Sequence, residues 1–149
     1  MKYVYLIVFL MSIFLLIGCL GISKNKNDLK IKENNNFAIS IGQLETYGKR
    51  DSIEKDPPKH VFKVKVQITN NAGSERGIGS LDFKAFDQNG KEIPHYGYGD
   101  NFGEVVGISK TVKGAMFFSG NINSLDRIEY TNPDTKKTTN WKLAEIRKK

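Results

Sequence analysis

Few side chains in this 149-residue chain are of a kind that does chemistry. There is one thiol, Cys19, and there are two imidazoles, His60 and His95. No Gly-x-Ser-x-Gly elbow, His-Glu-x-x-His pair or phosphate-binding glycine loop occurs. His60 opens a strand-like segment and reads as an ordinary exposed residue. His95 and Asp100 place two ligand-type side chains in one loop, short of the three or four that zinc requires. Asp51 and Glu54 share a polar stretch with nothing nearby to raise a carboxyl pKa, so general acid work is not indicated. These residues point away from an enzyme and from a bound metal or other cofactor.

The thiol is better explained by where it stands. Lys2 supplies a short positive start, and Tyr3 to Leu16 form an apolar stretch rich in Leu, Ile, Val and Phe. Small Gly18 precedes Cys19, where a peptidase needs room. No charge appears from Tyr3 to Ser23, so an uncleaved membrane anchor is the competing reading. The core of the run is short for a span, and the only cysteine falls at its end. The order Leu16-Ile17-Gly18-Cys19 resembles the lipobox of bacterial secreted lipoproteins. That resemblance implies a diacylglycerol on the Cys19 thiol and cleavage between Gly18 and Cys19. It also implies residence on the extracytoplasmic face of the cell membrane. A lipidated Cys19 leaves no thiol for a disulfide, so packing and backbone pairing alone must hold the body.

Three segments follow from this: a leader over 1–18, a lipidated cysteine and tether over 19–36, and a folded body over 37–149. From Ser23 to Asn36 lysine and asparagine dominate and almost nothing is apolar, the composition of a disordered spacer. Lys24, Lys26, Lys30 and Lys32 would add attraction to anionic headgroups. The formal net charge of +7 is spread as isolated lysines. It favours contact with lipid headgroups or an anionic cell-wall polymer. Nucleic acid, the other polyanion, is not expected to meet an exported protein.

The body is patterned as strands. Phe37, Ile39 and Ile41 alternate with Ala38, Ser40 and Gly42, which predicts a first strand with one buried face. Thr46 to Lys59 is charged and ends in Pro57-Pro58, a surface loop. From Val61 to Asn71, Phe62, Val64, Val66 and Ile68 fall on one side, with Lys63, Lys65, Gln67 and Thr69 on the other. Alternation this strict predicts a strand of an antiparallel sheet, packed on one face and wet on the other. Leu81 to Ile93 reads as a hairpin turned at Asn89-Gly90, with Leu81, Phe83 and Ala85 inward. His95 to Gly103 is a long loop rich in Gly and Tyr. Lys110 to Phe118 is strand-like, with Val112 and Phe118 on one side provided Gly114 marks no bulge. Leu125 to Tyr130 and Thr138 to Leu143 complete the set, and Trp141 closes the core.

About seven short strands in some 110 residues predict an all-β, antiparallel β-sandwich. Val64 to Asn71, Leu81 to Glu92 and Val112 to Phe118 resemble a family of uncharacterised immunoglobulin-like domains on Gram-positive lipoproteins. The resemblance covers Phe37 to Leu143 and implies a two-sheet immunoglobulin-like sandwich similar to a mycobacterial secreted antigen. Its motifs are structural and transfer no active site. The chain departs from it at Gly107-Ile108-Ser109-Lys110, which lacks the usual proline and leaves that strand boundary open. The expectation is a membrane-anchored, non-catalytic binding module whose contact loop holds His95, Tyr96, Tyr98, Asp100 and Phe102. Its tyrosines offer large contact area and its glycines let it adapt, as in paratopes. The same rings could instead fold back over the sandwich. A structural or envelope-stress lipoprotein without a discrete ligand, and an inhibitor of a secreted enzyme, are the rival classes.

Overall fold

Alternating apolar and polar residues turn one face of a strand inward, and the protein is built around the segment where alternation is strictest. The computed structural model describes residues 30–50, 54–97 and 101–146. The leader and Cys19 lie outside these residues, as do Asp51, Tyr98 and Asp100. β3 (Phe62–Asn70) buries Phe62, Val64, Val66 and Ile68 and turns Lys65 to water. It sits between β2 (Phe37–Thr46) and β8 (Thr111–Phe118), and β2 also pairs with β1 (Ile31–Asn34), giving one four-stranded sheet. The opposing sheet contains β5 (Phe83–Asp87), β6 (Glu92–Ile93), β9 (Leu125–Thr131) and β10 (Thr138–Lys142), in the order β10-β9-β5-β6. A separate ribbon pairs β4 (Arg76–Gly79) with β7 (Gly103–Val106). All pairings are antiparallel, and the architecture is an immunoglobulin-like β-sandwich. A single turn of helix, α1 (Leu143–Ile146), follows β10. Among the described residues no helix is long and apolar enough to cross a membrane.

The core lies between the sheets, where Phe62 stacks on Phe118 at 5.4 Å and Tyr130 meets Phe83 at 5.1 Å. Trp141 is buried there, and its indole N–H donates to the Lys30 carbonyl at 3.2 Å. β8 keeps a continuous register with β3, so Gly114 marks no bulge. A Cβ at Gly114 would lie 2.5 Å from Phe102 Cγ, and the glycine is there to make room for that ring. The irregularity falls instead in β2, between Ile41 and Leu44.

Three expectations change. Ile31 to Asn34, read as tether, form a strand, because pairing with β2 is backbone pairing and needs no apolar side chains. Leu81 does not face inward: it sits on a 3-10 turn over Ser80–Asp82 and is 82% exposed. That turn carries the chain from β4 into the second sheet, and the Asp82 carboxylate fixes it by accepting the Gly79 N–H at 2.8 Å. The Asn89-Gly90 turn is wider than two residues. The Asp87 N–H donates to the Lys91 carbonyl, and Gly90 takes a φ of +78° that suits a residue without Cβ.

Candidate functional site

β8 is the edge of its sheet, and an edge strand carries a row of backbone groups that need partners. The loop leaving β6 supplies them. The Pro94 carbonyl accepts the Ser119 N–H at 2.8 Å, Tyr96 N–H donates to the Phe117 carbonyl at 2.8 Å, and Phe102 N–H donates to the Ala115 carbonyl at 3.0 Å. Asn101 ties the start of this loop to β8 at a neck. Its carboxamide donates to the carbonyls of Tyr96 (2.8 Å) and Gly97 (2.9 Å) and accepts the Phe117 N–H at 3.0 Å.

The two rings that bound the loop grip β8 from opposite faces. Phe102 packs on the inner core, 6.0 Å from Phe83 and directly over Gly114. Tyr96, only 9% exposed, joins Val61 and Phe117 in a small apolar cluster on the outer face, with Tyr47 and Ala115 against it. Tyr47 and Phe117 lie 4.6 Å apart. The Tyr96 hydroxyl donates to Glu54 Oε2 at 2.9 Å, and the Arg50 guanidinium lies 5.8 Å from the Tyr96 ring. Arg50 also donates to the carbonyls of Tyr47, Lys49, Pro58 and Lys59, which gathers its own loop around one cation. Two loops thus share a hydrophobic floor and a polar rim.

His95 is tied into the same edge. Its Nε2 is 3.0 Å from the Phe83 carbonyl, so Nε2 carries the hydrogen of that bond, and its ring lies 4.5 Å from Phe118. It therefore secures the start of the loop. His60 is exposed. Among the described residues no three His, Cys, Asp or Glu side chains are grouped to hold a metal. On the adjoining strand Lys65 is paired with Glu45 at 2.6 Å, and that contact holds the Glu45 carboxyl below its ordinary range. Lys63 Nζ lies 5.9 Å from the Phe117 ring.

Of the five residues singled out from sequence, the structure brings His95, Tyr96 and Phe102 together as anchors of one loop. Tyr47, Arg50, Glu54, Asn101 and Phe117 belong to the same site and were missed. One signal was available: Val61, Ala115 and Phe117 are apolar on the face that Lys63 and Lys65 mark as wet, which implies a cover over that end. Nothing in the sequence distinguishes Asn101 from other loop asparagines.

No family model and no curated protein matches the chain. Solved structures do. A candidate lipoprotein, ycdA, of Bacillus subtilis superposes with a TM-score of 0.61 at 17% identity, over 76% of this chain and 38% of that one. The secreted protein MPT63 of Mycobacterium tuberculosis gives 0.54 at 13% identity, over 71% and 82%. The yjhA protein of Bacillus subtilis gives 0.62 at 9% identity, over 76% and 95%. Thus the chain spans well under half of the first of these, and at such identities the likeness is one of fold.

Proposed function

We propose that this protein is a lipid-anchored, non-catalytic interaction module on the extracytoplasmic face of the membrane, and that the loop tip between Gly97 and Asn101 contacts another envelope protein. The observation that carries this reading is the neck. Tyr96 and Phe102 are committed to opposite faces of β8, and Asn101 fixes the loop ends with three hydrogen bonds. A tip based on a rigid edge loses less entropy on binding than a free loop of the same length. The lysines of β3 are poorer candidates, since Lys65 is neutralised by Glu45 and Lys63 lies against Phe117. The likeness to a candidate lipoprotein and a secreted protein, together with the Leu16-Ile17-Gly18-Cys19 order, supports the location.

Capture of partners from the native envelope with the full-length protein tests this. One saturable protein partner is expected. Tyr98→Ala should weaken capture severely, while raising salt to roughly 0.5 M should change it little, because salt screens exposed charges and not buried apolar contact. Affinity that collapses with salt and ignores Tyr98→Ala would transfer the function to the lysines and an anionic polymer. No partner at all would favour the structural lipoprotein.

A further inference from the structure

Polar atoms shut away from water need a hydrogen-bond partner. Asn34 Oδ1, Asn132 Nδ2 and the Tyr130 hydroxyl have none among protein atoms, and all three residues are fully buried. They come from one corner of the sandwich. Asn34 Nδ2 donates to the Lys137 carbonyl at 3.0 Å and to Thr139 Oγ1 at 2.7 Å. The Asn132 N–H donates to that same Lys137 carbonyl at 3.0 Å, so the two asparagines share an acceptor. Tyr130 is the cross-strand partner of Thr139, and its ring packs edge-on against Phe37, the ladder partner of Asn34. Burial and the carboxylates of Asp82 and Asp134 push the ionisation of Tyr130 well above the usual tyrosine range, so its hydroxyl keeps its proton.

Exchanging amide oxygen and nitrogen does not relieve either asparagine. Asn132 Oδ1 accepts the N–H groups of Asp134 (2.9 Å) and Thr135 (3.0 Å), and a flipped amide would oppose donor to donor. A flipped Asn34 would set its oxygen against the Lys137 carbonyl. The unmet capacity is therefore fixed: the carboxamide oxygen of Asn34, both N–H donors of the Asn132 amide and the hydroxyl of Tyr130. None of these groups is charged, which favours a neutral guest over an ion. A water can accept from Asn132 and Tyr130 and donate to Asn34, and three such bonds are typical of a buried water.

We propose that Asn34 Oδ1, Asn132 Nδ2 and the Tyr130 hydroxyl hold a single buried water that staples the β1–β2 turn to the β9–β10 turn. It would join the two sheets where β1 turns into β2. In NMR of the full chain in detergent, the Asn132 Nδ2 protons should show cross-relaxation with a long-lived water, and a crystal should show one ordered peak within bonding distance of all three atoms. Tyr130→Phe should lower Tm, since it strips the water of a partner. Removing a hydroxyl from a dry site would leave Tm unchanged or raise it. Such a rise, absent cross-relaxation, or a direct Asn34–Asn132 hydrogen bond overturns the assignment. If Tyr130→Phe does not fold, the two measurements on the unaltered protein decide.

Discussion

Gly114 shows at the scale of one residue what pattern conveys and what it leaves out. In sequence it is a glycine inside a strand, which often means a bulge. In the fold it is a hole shaped for one ring: a Cβ there would lie 2.6 Å from Phe102 Cβ as well as 2.5 Å from Cγ. A clash at Phe102 Cβ cannot be relieved by turning the ring, because that atom is fixed by the backbone. The Phe102 N–H is held by Ala115, so the backbone resists moving too. Gly114→Ala should therefore cost about 1–3 kcal/mol, the range for overpacking a tight core. Denaturant unfolding measures it, and Phe102→Ala in the same chain should recover part of the loss. An additive double variant would mean that the two residues do not oppose each other. Period-two alternation could place Val112 and Phe118 on one face, and it did. It could not say that a loop residue twelve positions earlier needed the space above Gly114.

Elements were legible in proportion to how far their stability comes from apolar burial. β3 could be read almost residue by residue, since Phe62 to Ile68 alternate without a break. β1 could not, because only Asn34 of its four residues is buried and its hold on the second sheet is polar. The Lys32 ammonium donates to the Asn140 carbonyl, Asn34 donates to the Lys137 carbonyl, and Lys30 and Lys32 both pair with Glu145 of α1, the latter at 2.8 Å. Composition cannot distinguish such a strand from a spacer. The two lysines hold the Glu145 carboxyl down from its ordinary 4.5 to about 2. A depressed carboxylate stabilises the fold above its unfolded pKa and stops doing so as pH falls through the folded one. Unfolding midpoints of the protein and of Glu145→Gln should thus differ by a constant amount from neutral pH down to about 5 and converge between 4.5 and 2. A gap still undiminished at pH 2 would show that Glu145 stabilises by packing, and not by charge.

At the scale of the whole molecule, the docking of β1 sets how far the body would stand from a membrane under the proposed lipid anchor. A tether running from Cys19 to Asn36 would be half as long again as one that ends at Lys30. With β1 joined to the sandwich, the chain from Cys19 to Lys30 can reach at most roughly 40 Å. Lys30 and Lys32 are engaged with Glu145, which leaves Lys24 and Lys26 of the four tether lysines for headgroups, at about 1 kcal/mol each near the surface. Two such contacts cannot hold a protein on a membrane, whereas a diacylglycerol adds about 0.8 kcal/mol for every buried methylene. Retention should therefore rest on Cys19 almost alone. Cys19→Ser is expected to move the protein into the soluble fraction or leave its precursor unprocessed, and a high-salt wash should not extract the unaltered protein. Its intact mass should correspond to a chain starting at Cys19 plus acyl groups. A chain starting at Met1 without acyl mass, retained equally well with Ser at position 19, would identify the apolar N-terminus itself as the anchor.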